Sequence, residues 1–261
     1  MDTGLTGKGV LVTGGAGGIG TEIVRAFAAE GARVAVHYRS SRDAAEMLAA
    51  QIGGVALCAD LTDEAEADAL VPAAVAALGR LDVVCANAGW WPPDDEPIWD
   101  MSLERWRATI DANLTTTFLT ARAFLRHATV TKTGSLILTA STAGQFGEAG
   151  HADYAAAKGA LQSGFLLTLK NEAARIGNGV RVNAINPGWI VTPKKEASVT
   201  PEHVEWATAT MSLKKLGKPH DVATQAVMLA SDVVSGHLSG QVVTVAGGME
   251  GPLARTFFAD G

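Results

Sequence analysis

Cysteine is nearly absent. The 261-residue chain has two, Cys58 and Cys85, and both fall in or at the end of apolar β-rich runs, where free cysteine behaves as a small buried hydrophobe. Neither a disulfide nor a metal is therefore expected, and the six histidines show no ligand spacing. Long hydrophobic runs are missing too. No segment approaches the roughly 20 apolar residues of a membrane span, and the N-terminal MDTGLTGKGVLVTGG lacks the basic flank and unbroken apolar stretch of a secretory signal. A cytoplasmic protein with no membrane partner is expected. Basic stripes are also lacking, and a formal charge of -6 argues against a nucleic-acid partner. There is no repeat, low-complexity tract or linker. With 48% hydrophobic and 18% charged residues, what remains is a globular chain with a sizeable core, read as one domain over 1–261.

What is present is a repeated alternation of strand and helix. The run Lys8 to Thr13 is short and β-branched, and it breaks into Gly14, Gly15, Ala16, Gly17, Gly18, Ile19 and Gly20 before the helical pattern TEIVRAFAAEG. Strand, glycine turn and helix together aim backbone N–H groups and a helix N-terminus at an anion such as a pyrophosphate. The spacing is TGxxxGxG, on Thr13, Gly14, Gly18 and Gly20. A second strand, Arg33 to His37, leads to Tyr38, Arg39, Ser40, Ser41 and Arg42. An acidic residue about twenty positions past the turn binds the ribose hydroxyls of NAD, whereas an arginine there accepts the 2′-phosphate of NADP. Arg39 therefore points to NADP(H), with Ser40 and Arg42 as further phosphate contacts and NAD(H) as the alternative.

Further strands follow at Val55 to Ala59, Leu81 to Ala86, Ser135 to Thr139 and Val180 to Ile185, with helical patterns at Asp63 to Leu78, Asp100 to Arg126 and from Tyr154 onward. Units of this length predict parallel βαβ crossovers and a doubly wound parallel sheet, a three-layer α/β/α fold of Rossmann type. Ligands bind such sheets outside the C-terminal strand ends. Gly14, Asp60, Asn87, Ser141 and the Asn186-Pro187-Gly188 turn all fall at those ends.

Tyr154 and Lys158 are four residues apart in a helical run, so both side chains rise from one face. A tyrosine near its usual pKa of about 10 exchanges protons poorly at neutral pH, and a neighbouring cation is expected to lower that value. Ser141, closing the strand run SLILTAS, adds a donor. One group to hold an oxygen, one to protonate it and one to tune the acid suit carbonyl reduction or alcohol oxidation, with hydride from a cofactor.

With these residues in order, the chain resembles the short-chain dehydrogenase/reductase family, 3-oxoacyl-carrier-protein reductases among them, over almost its full length. The resemblance implies catalytic roles for Asn113 in DANL, Ser141, Tyr154 and Lys158, Asn113 anchoring a water that relays protons toward the lysine. It implies cofactor contacts from Gly14, Gly18, Ile19, Gly20, Tyr38, Arg39, Ser40, Asp60, Leu61, Asn87, Ala88 and Gly89. Tyr154, Lys158, Pro187, Gly188, Ile190 and Thr192 complete that set. Ala86 departs from the family's pattern, standing where an asparagine often precedes Asn87. A homotetramer or homodimer built on the Asp100–Arg126 and Tyr154–Ile176 helices is implied as well.

The substrate, a small carbonyl compound or alcohol, is less defined. All six tryptophans lie between positions 90 and 206, and Trp90, Trp91 and Trp189 directly follow strand-end motifs, where they line a site mouth or pack core. Gln145, Glu148 and His151 are the polar candidates for specificity. Residues 189–212 read as a lid, its Val191 to Thr210 stretch a Pro-bounded loop and short amphipathic helix in which Lys194 and Lys195 either attract an acidic substrate or carrier or are simply solvated. Two functions remain open. One is an NADP(H)-dependent ketone or aldehyde reductase working in either direction, with an NAD-dependent alcohol or sugar dehydrogenase as its variant. The other is a non-catalytic cofactor sensor or scaffold on the same fold.

Overall fold

The computed structural model describes residues 2–252, the Lys194 side chain excepted. Most of the tail GGMEGPLARTFFADG therefore lies outside the described residues. The first crossovers run β1 (Gly9–Val12), α1 (Gly18–Ala29), β2 (Arg33–Tyr38), α2 (Arg42–Ile52), β3 (Val55–Cys58), α3 (Glu64–Leu78) and β4 (Val83–Ala86). The central pair of helices is α4 (Leu103–Ile110) and α5 (Thr116–Thr131), followed by β5 (Thr133–Thr139) and the short α6 (Thr142–Phe146). Next come α7 (Ala152–Ala160), α8 (Leu166–Ile176) and β6 (Gly179–Pro187). The chain closes with α9 (Pro193–Glu196), α10 (Pro201–Ala207), α11 (Pro219–Ala230), α12 (Asp232–Ser235) and β7 (Val242–Val245).

All seven strands pair in parallel, in the order β3-β2-β1-β4-β5-β6-β7. The doubly wound α/β/α fold of the sequence reading is therefore present, with β7 beyond the six strands expected. The strand order reverses between β1 and β4, which opens a crevice at their C-terminal ends. The period of two in the strands sorts the core into two faces. Leu11, Val84, Leu136, Leu138 and Val182 face α3, α5 and α8. Val10, Val12, Val36, Ile137 and Ile185 face α1, α2 and α11.

Three local expectations change. Cys58 is exposed rather than buried, because β3 is an edge strand and Cys58 is its last residue; Cys85 is buried in β4. The Asp100–Arg126 helix is two helices, α4 and α5, joined by a π-turn at Asp111–Thr115, and a second π-turn at Leu161–Phe165 joins α7 to α8. Thr117 and Ser163 hydroxyls donate back to the Asn113 and Gly159 carbonyls at 2.7 Å, absorbing polar groups that the wider turns displace. The Val191–Thr210 segment holds two short helices, α9 and α10, each opened by a proline at its first turn.

Phe27 of α1 is fully buried beneath the first crossover. Phe27→Ala is expected to cost about 3–5 kcal/mol of unfolding free energy, read as a lowered midpoint in urea or guanidinium denaturation.

Candidate active site

The crevice between β1 and β4 is held by side chains rather than by further strands. Thr13 Oγ1 donates to the Cys85 carbonyl at 3.3 Å and accepts from the N–H groups of Asn87 and Ala88 at 2.9 and 3.0 Å. Asn87 Nδ2 returns a bond to the Thr13 carbonyl at 3.0 Å. The glycine turn then folds tightly onto α1. Gly14 has φ +62, and a Cβ on Gly20 would lie 2.1 Å from the Gly14 oxygen, so a side chain at position 20 would force the turn open.

His37, which the sequence reading treated only as the end of a strand, fixes this turn from the other side. Its Nδ1 accepts from the Gly14 N–H at 3.0 Å, and Nε2 lies 3.0 Å from the Ala59 carbonyl. A backbone N–H only donates, so the ring hydrogen sits on Nε2 and donates to Ala59. Burial of the imidazole holds its pKa below the usual histidine range, outweighing the Ala59 bond and the Asp60 charge.

The cavity bounded by this turn has a volume of about 840 Å³ and reaches the ends of β2, β3, β5 and β6. Most site residues expected from the sequence line it; Gln145, Arg42 and His151 do not. Gln145 turns away, its Oε1 accepting from Thr244 and Asn186 at 3.3 and 3.4 Å, because the short helix α6 carries it toward β6 and β7. Arg42 does not line the cavity either and pairs with Glu46 at 3.6 Å. Arg39 and Ser40 do line it, as does the exposed Ser41, which the sequence reading left without a role. Asp60 is locked by the N–H and hydroxyl of Thr62 at 2.9 and 2.7 Å, which keep its carboxyl below the usual range, Arg39 adding a smaller pull.

At the other end, Ser141, Tyr154, Lys158 and Asn113 line the same cavity. Ser141 is extended and caps α6, accepting from the Ala143 N–H at 3.1 Å. Its own carbonyl accepts from Gln162 Nε2 at 3.1 Å, and Gln162 Oε1 accepts from Asn186 Nδ2, so a residue of the second π-turn anchors the serine backbone. Lys158 is buried, donates to the Thr139 carbonyl at 2.9 Å, and has its Nζ 5.7 Å from the Tyr154 ring centre. Asn113 Oδ1 accepts from the Trp90 N–H at 3.1 Å. Its Nδ2 donates to the Trp90 and Thr109 carbonyls at 2.8 and 3.0 Å. The carboxamide is thus spent on positioning the segment after β4.

The expected tuning of the tyrosine is reversed. Burial pushes the Tyr154 phenol up to about 12, a contact with the Ser141 hydroxyl offsetting part of this and the Glu148 charge adding to it. Burial also lowers Lys158 to about 8. Both charged forms are penalised by loss of water, and the ammonium is directed to Thr139 rather than to the phenol. The resting tyrosine is a neutral proton donor.

A brace absent from the sequence reading fixes the start of α7. Asp153, fully buried, accepts from Thr109 Oγ1 at 2.7 Å, from Arg105 Nε at 3.2 Å and from the Tyr154 N–H at 2.8 Å. Arg105 also meets Glu96 at 2.9 Å and donates to the Gly150 carbonyl at 3.1 Å. The pattern that betrays it, an arginine and an aspartate on two separate helices, has no local signature.

Around the mouth, Trp91 Nε1 donates to Glu148 Oε1 at 3.1 Å, its ring stacks on His151 at 4.7 Å, and Lys195 Nζ lies 4.8 Å over it. His151 does not line the cavity: it is buried, with Nε2 2.9 Å from the Pro92 carbonyl, so it supports Trp91 instead of meeting substrate. Trp189 contacts Trp206 and His203 of α10 at 5.2 and 5.6 Å between ring centres, which seats that helix over the strand ends. Thr192 packs onto the glycine turn so closely that a Cβ on Gly18 would lie 2.4 Å from it. Among the described residues there is no cluster of potential metal ligands and no helix long and apolar enough to cross a membrane.

Residues 14–250 match a family model described as enoyl-(acyl carrier protein) reductase. The chain is 36% identical to a 3-oxoacyl-[acyl-carrier-protein] reductase of Synechocystis over 95% of its own length and 98% of that protein's. It is 34% identical to an L-fucose dehydrogenase of Bos taurus, covering 96% of this chain and 92% of that one. Among solved structures, a 7α-hydroxysteroid dehydrogenase complexed with NADH and 7-oxo glycochenodeoxycholic acid superposes with a TM-score of 0.84 at 30% identity. That match spans 95% of this chain and 96% of the other.

Because His37 is neutral in the fold, the unfolded chain binds a proton that the native chain refuses as pH falls below the ordinary histidine value of 6.5. Stability therefore drops on acidification, by up to about 1.4 kcal/mol per pH unit from this group, and gains nothing from it above that value. Denaturation midpoints at pH 7.5 and 5.5 are expected to diverge more for the wild type than for His37→Asn, whose carboxamide oxygen still accepts from Gly14.

Proposed function

The chain belongs to the short-chain dehydrogenase/reductase family, oxidoreductases acting on CH–OH and C=O groups, and from that premise we propose that it interconverts a ketone or aldehyde and an alcohol with NADP(H), Tyr154 moving the proton. The observation that carries this reading is the convergence of Ser141, Tyr154 and Lys158 on one wall of a cavity whose far end is the glycine turn. A complete proton-transfer set weighs against a cofactor sensor or scaffold.

The residues fit a dinucleotide. The turn at Gly14 to Gly20 is free of side chains that would fill the crevice, and it ends on the N-terminus of α1, where backbone N–H groups favour a pyrophosphate. Asp60 and Leu61 suit the adenine, and Asn87, Ala88 and Gly89 the floor of the crevice. Lys158 with Tyr154 suits the nicotinamide ribose, and Pro187, Gly188, Ile190 and Thr192 the nicotinamide. Arg39 lines the cavity at the end of β2 where an NAD-type acid is missing, which supports a 2′-phosphate. The NADH named with the hydroxysteroid dehydrogenase, and relatives such as L-fucose dehydrogenase, keep an NAD-dependent alcohol or sugar dehydrogenase as the second reading.

The nicotinamide, when bound, supplies or takes the hydride. In reduction, Ser141 donates a hydrogen bond to the substrate oxygen and Tyr154, a neutral phenol, gives its proton to that oxygen as negative charge develops. The phenolate left behind is stabilised by the nearby Lys158 ammonium, so a charge that is costly alone is formed as part of a pair. Asn113 and the Asp153–Arg105 brace keep the Trp90 segment and the start of α7 in register. Residues 189–212, seated by Trp189 and Thr192, serve as the lid of a single 1–261 domain. Exposed Leu103 and Phe118 on α4 and α5, and Leu167 on α8, support an oligomer formed through those helices, and we place the enzyme in the cytoplasm.

Tyr154→Phe is expected to lower kcat by about 10²–10⁴ while the dissociation constant for the nicotinamide cofactor stays within about twofold; retained turnover would refute the role. Arg39→Ala is expected to weaken NADPH binding by about tenfold, equivalent to about 1.4 kcal/mol, with NADH binding unchanged. Tighter wild-type binding of NADH than NADPH, measured by fluorescence titration, overturns the cofactor assignment alone.

A further inference from the structure

Two carboxylates line the cavity, and the chemistry above uses only one of them. Asp60 stands at the distal end with its Oδ1 taken by Thr62. Glu148 stands beside Gly147 and Tyr154, near enough for its charge to act on the Tyr154 hydroxyl. Its Oε1 accepts from Trp91 Nε1 at 3.1 Å and lies 3.8 Å from His151 Nδ1. Among the described residues no donor meets Oε2, and the side chain keeps 25% exposure. Trp91, stacked on His151 and with Lys195 over its ring, directs its N–H at this carboxylate. The result is a partly desolvated acceptor in the same cavity as Ser141 and Tyr154.

The chemistry of that acceptor narrows what lies against it. A carboxylate or phosphate on the substrate is repelled by Glu148, which offsets its attraction to Lys195 beside the same indole. An apolar substrate strips water from Oε2 and returns no hydrogen bond, which is penalised in a closed site. An ammonium group meets the Lys195 charge above the same indole, 4.8 Å from its centre, and loses much of the attraction. A neutral hydroxyl satisfies Oε2 and brings no net charge. Trp90 and Trp189 line the same cavity and offer apolar surface to the C–H faces of a compact ring.

We infer that the substrate is a polyhydroxylated alcohol, or the ketone derived from it, with a second hydroxyl that donates to Glu148 while the reacting oxygen lies at Ser141 and Tyr154. This assignment rests on the redox reading above and makes Glu148 the residue that sets specificity. Simple aryl ketones then bind poorly, since they carry no second donor.

The test compares cyclohexanol, cyclohexanediols and cyclohexanetriols as substrates for the wild type, Glu148→Gln and Glu148→Ala, with NADP⁺ and NAD⁺ each at saturation and cofactor binding measured separately. The wild type is expected to favour the hydroxylated rings by about 100-fold or more in kcat/KM. Glu148→Ala is expected to lower kcat/KM for the diols and triols far more than for cyclohexanol, so that the preference collapses, and Glu148→Gln, which still accepts hydrogen bonds, to retain part of it. Equal use of cyclohexanol and the diols by the wild type, or equal loss on both in Glu148→Ala, overturns the inference and leaves the redox reading standing. Normal cofactor binding with no turnover of any alcohol, nor of the corresponding ketones with reduced cofactor, overturns the redox reading, and the inference falls with it.

Discussion

A parallel sheet ends in peptide groups that no neighbouring strand can satisfy, and the site is built from the side chains that satisfy them. Thr13 and Asn87 close the gap between β1 and β4. His37 takes the Gly14 N–H and returns a bond to Ala59 beyond β3. Lys158 meets the last carbonyl of β5, and Gln162 the Ser141 carbonyl just beyond it. Each of these side chains serves the backbone first, so the strand ends are rigid before any ligand arrives. Rigidity at that place is what a hydride transfer needs, because donor and acceptor must meet in one geometry.

Electrostatics inside the cavity follow from the same burial. Removing water from Tyr154 and Lys158 penalises phenolate and ammonium alike, which leaves the phenol protonated and the lysine near the edge of its charge. The pair gains most when both charges are present together, as they are once the proton has left the tyrosine. Glu148 adds a third charge, which opposes the phenolate, and Trp91 Nε1 donates to it at 3.1 Å.

Much of this was legible because it is local. Strand runs such as Val10 to Val12 alternate between two buried faces, and the glycine turn, the Asn87-Ala88-Gly89 stretch and the Tyr154 to Lys158 spacing are contiguous signals. The rest depends on partners distant in sequence. Cys58 has the composition of a core strand but lies on an edge; Gln145 lies between the serine and the tyrosine, yet α6 turns it toward β7. His151 looks like a free polar group and is held by Pro92. Arg105 and Asp153 are 48 positions apart, and β7 with α11 carries no chemical motif to announce it. The sign of the tyrosine shift was missed for a related reason, since adjacency on a helix face says nothing about how much water either group keeps.

The two π-turns carry a consequence of their own. One residue of an α-helix advances the side-chain direction by about 100°, so a turn that takes in one extra residue acts as a phase shift. The α4–α5 pair is a single rod with a dislocation in it, whereas α7 and α8 meet at a kink where Ser163 leaves helical geometry. Ahead of each turn Ala108, Tyr154 and Lys158 line the cavity wall, and the first turn itself adds Ala112 and Asn113; farther on, Leu119, Phe124, Leu166 and Leu169 fill the core against the sheet. A continuous helix would have to compromise between those two registers, whereas the dislocation lets the chemistry and the packing each keep its own.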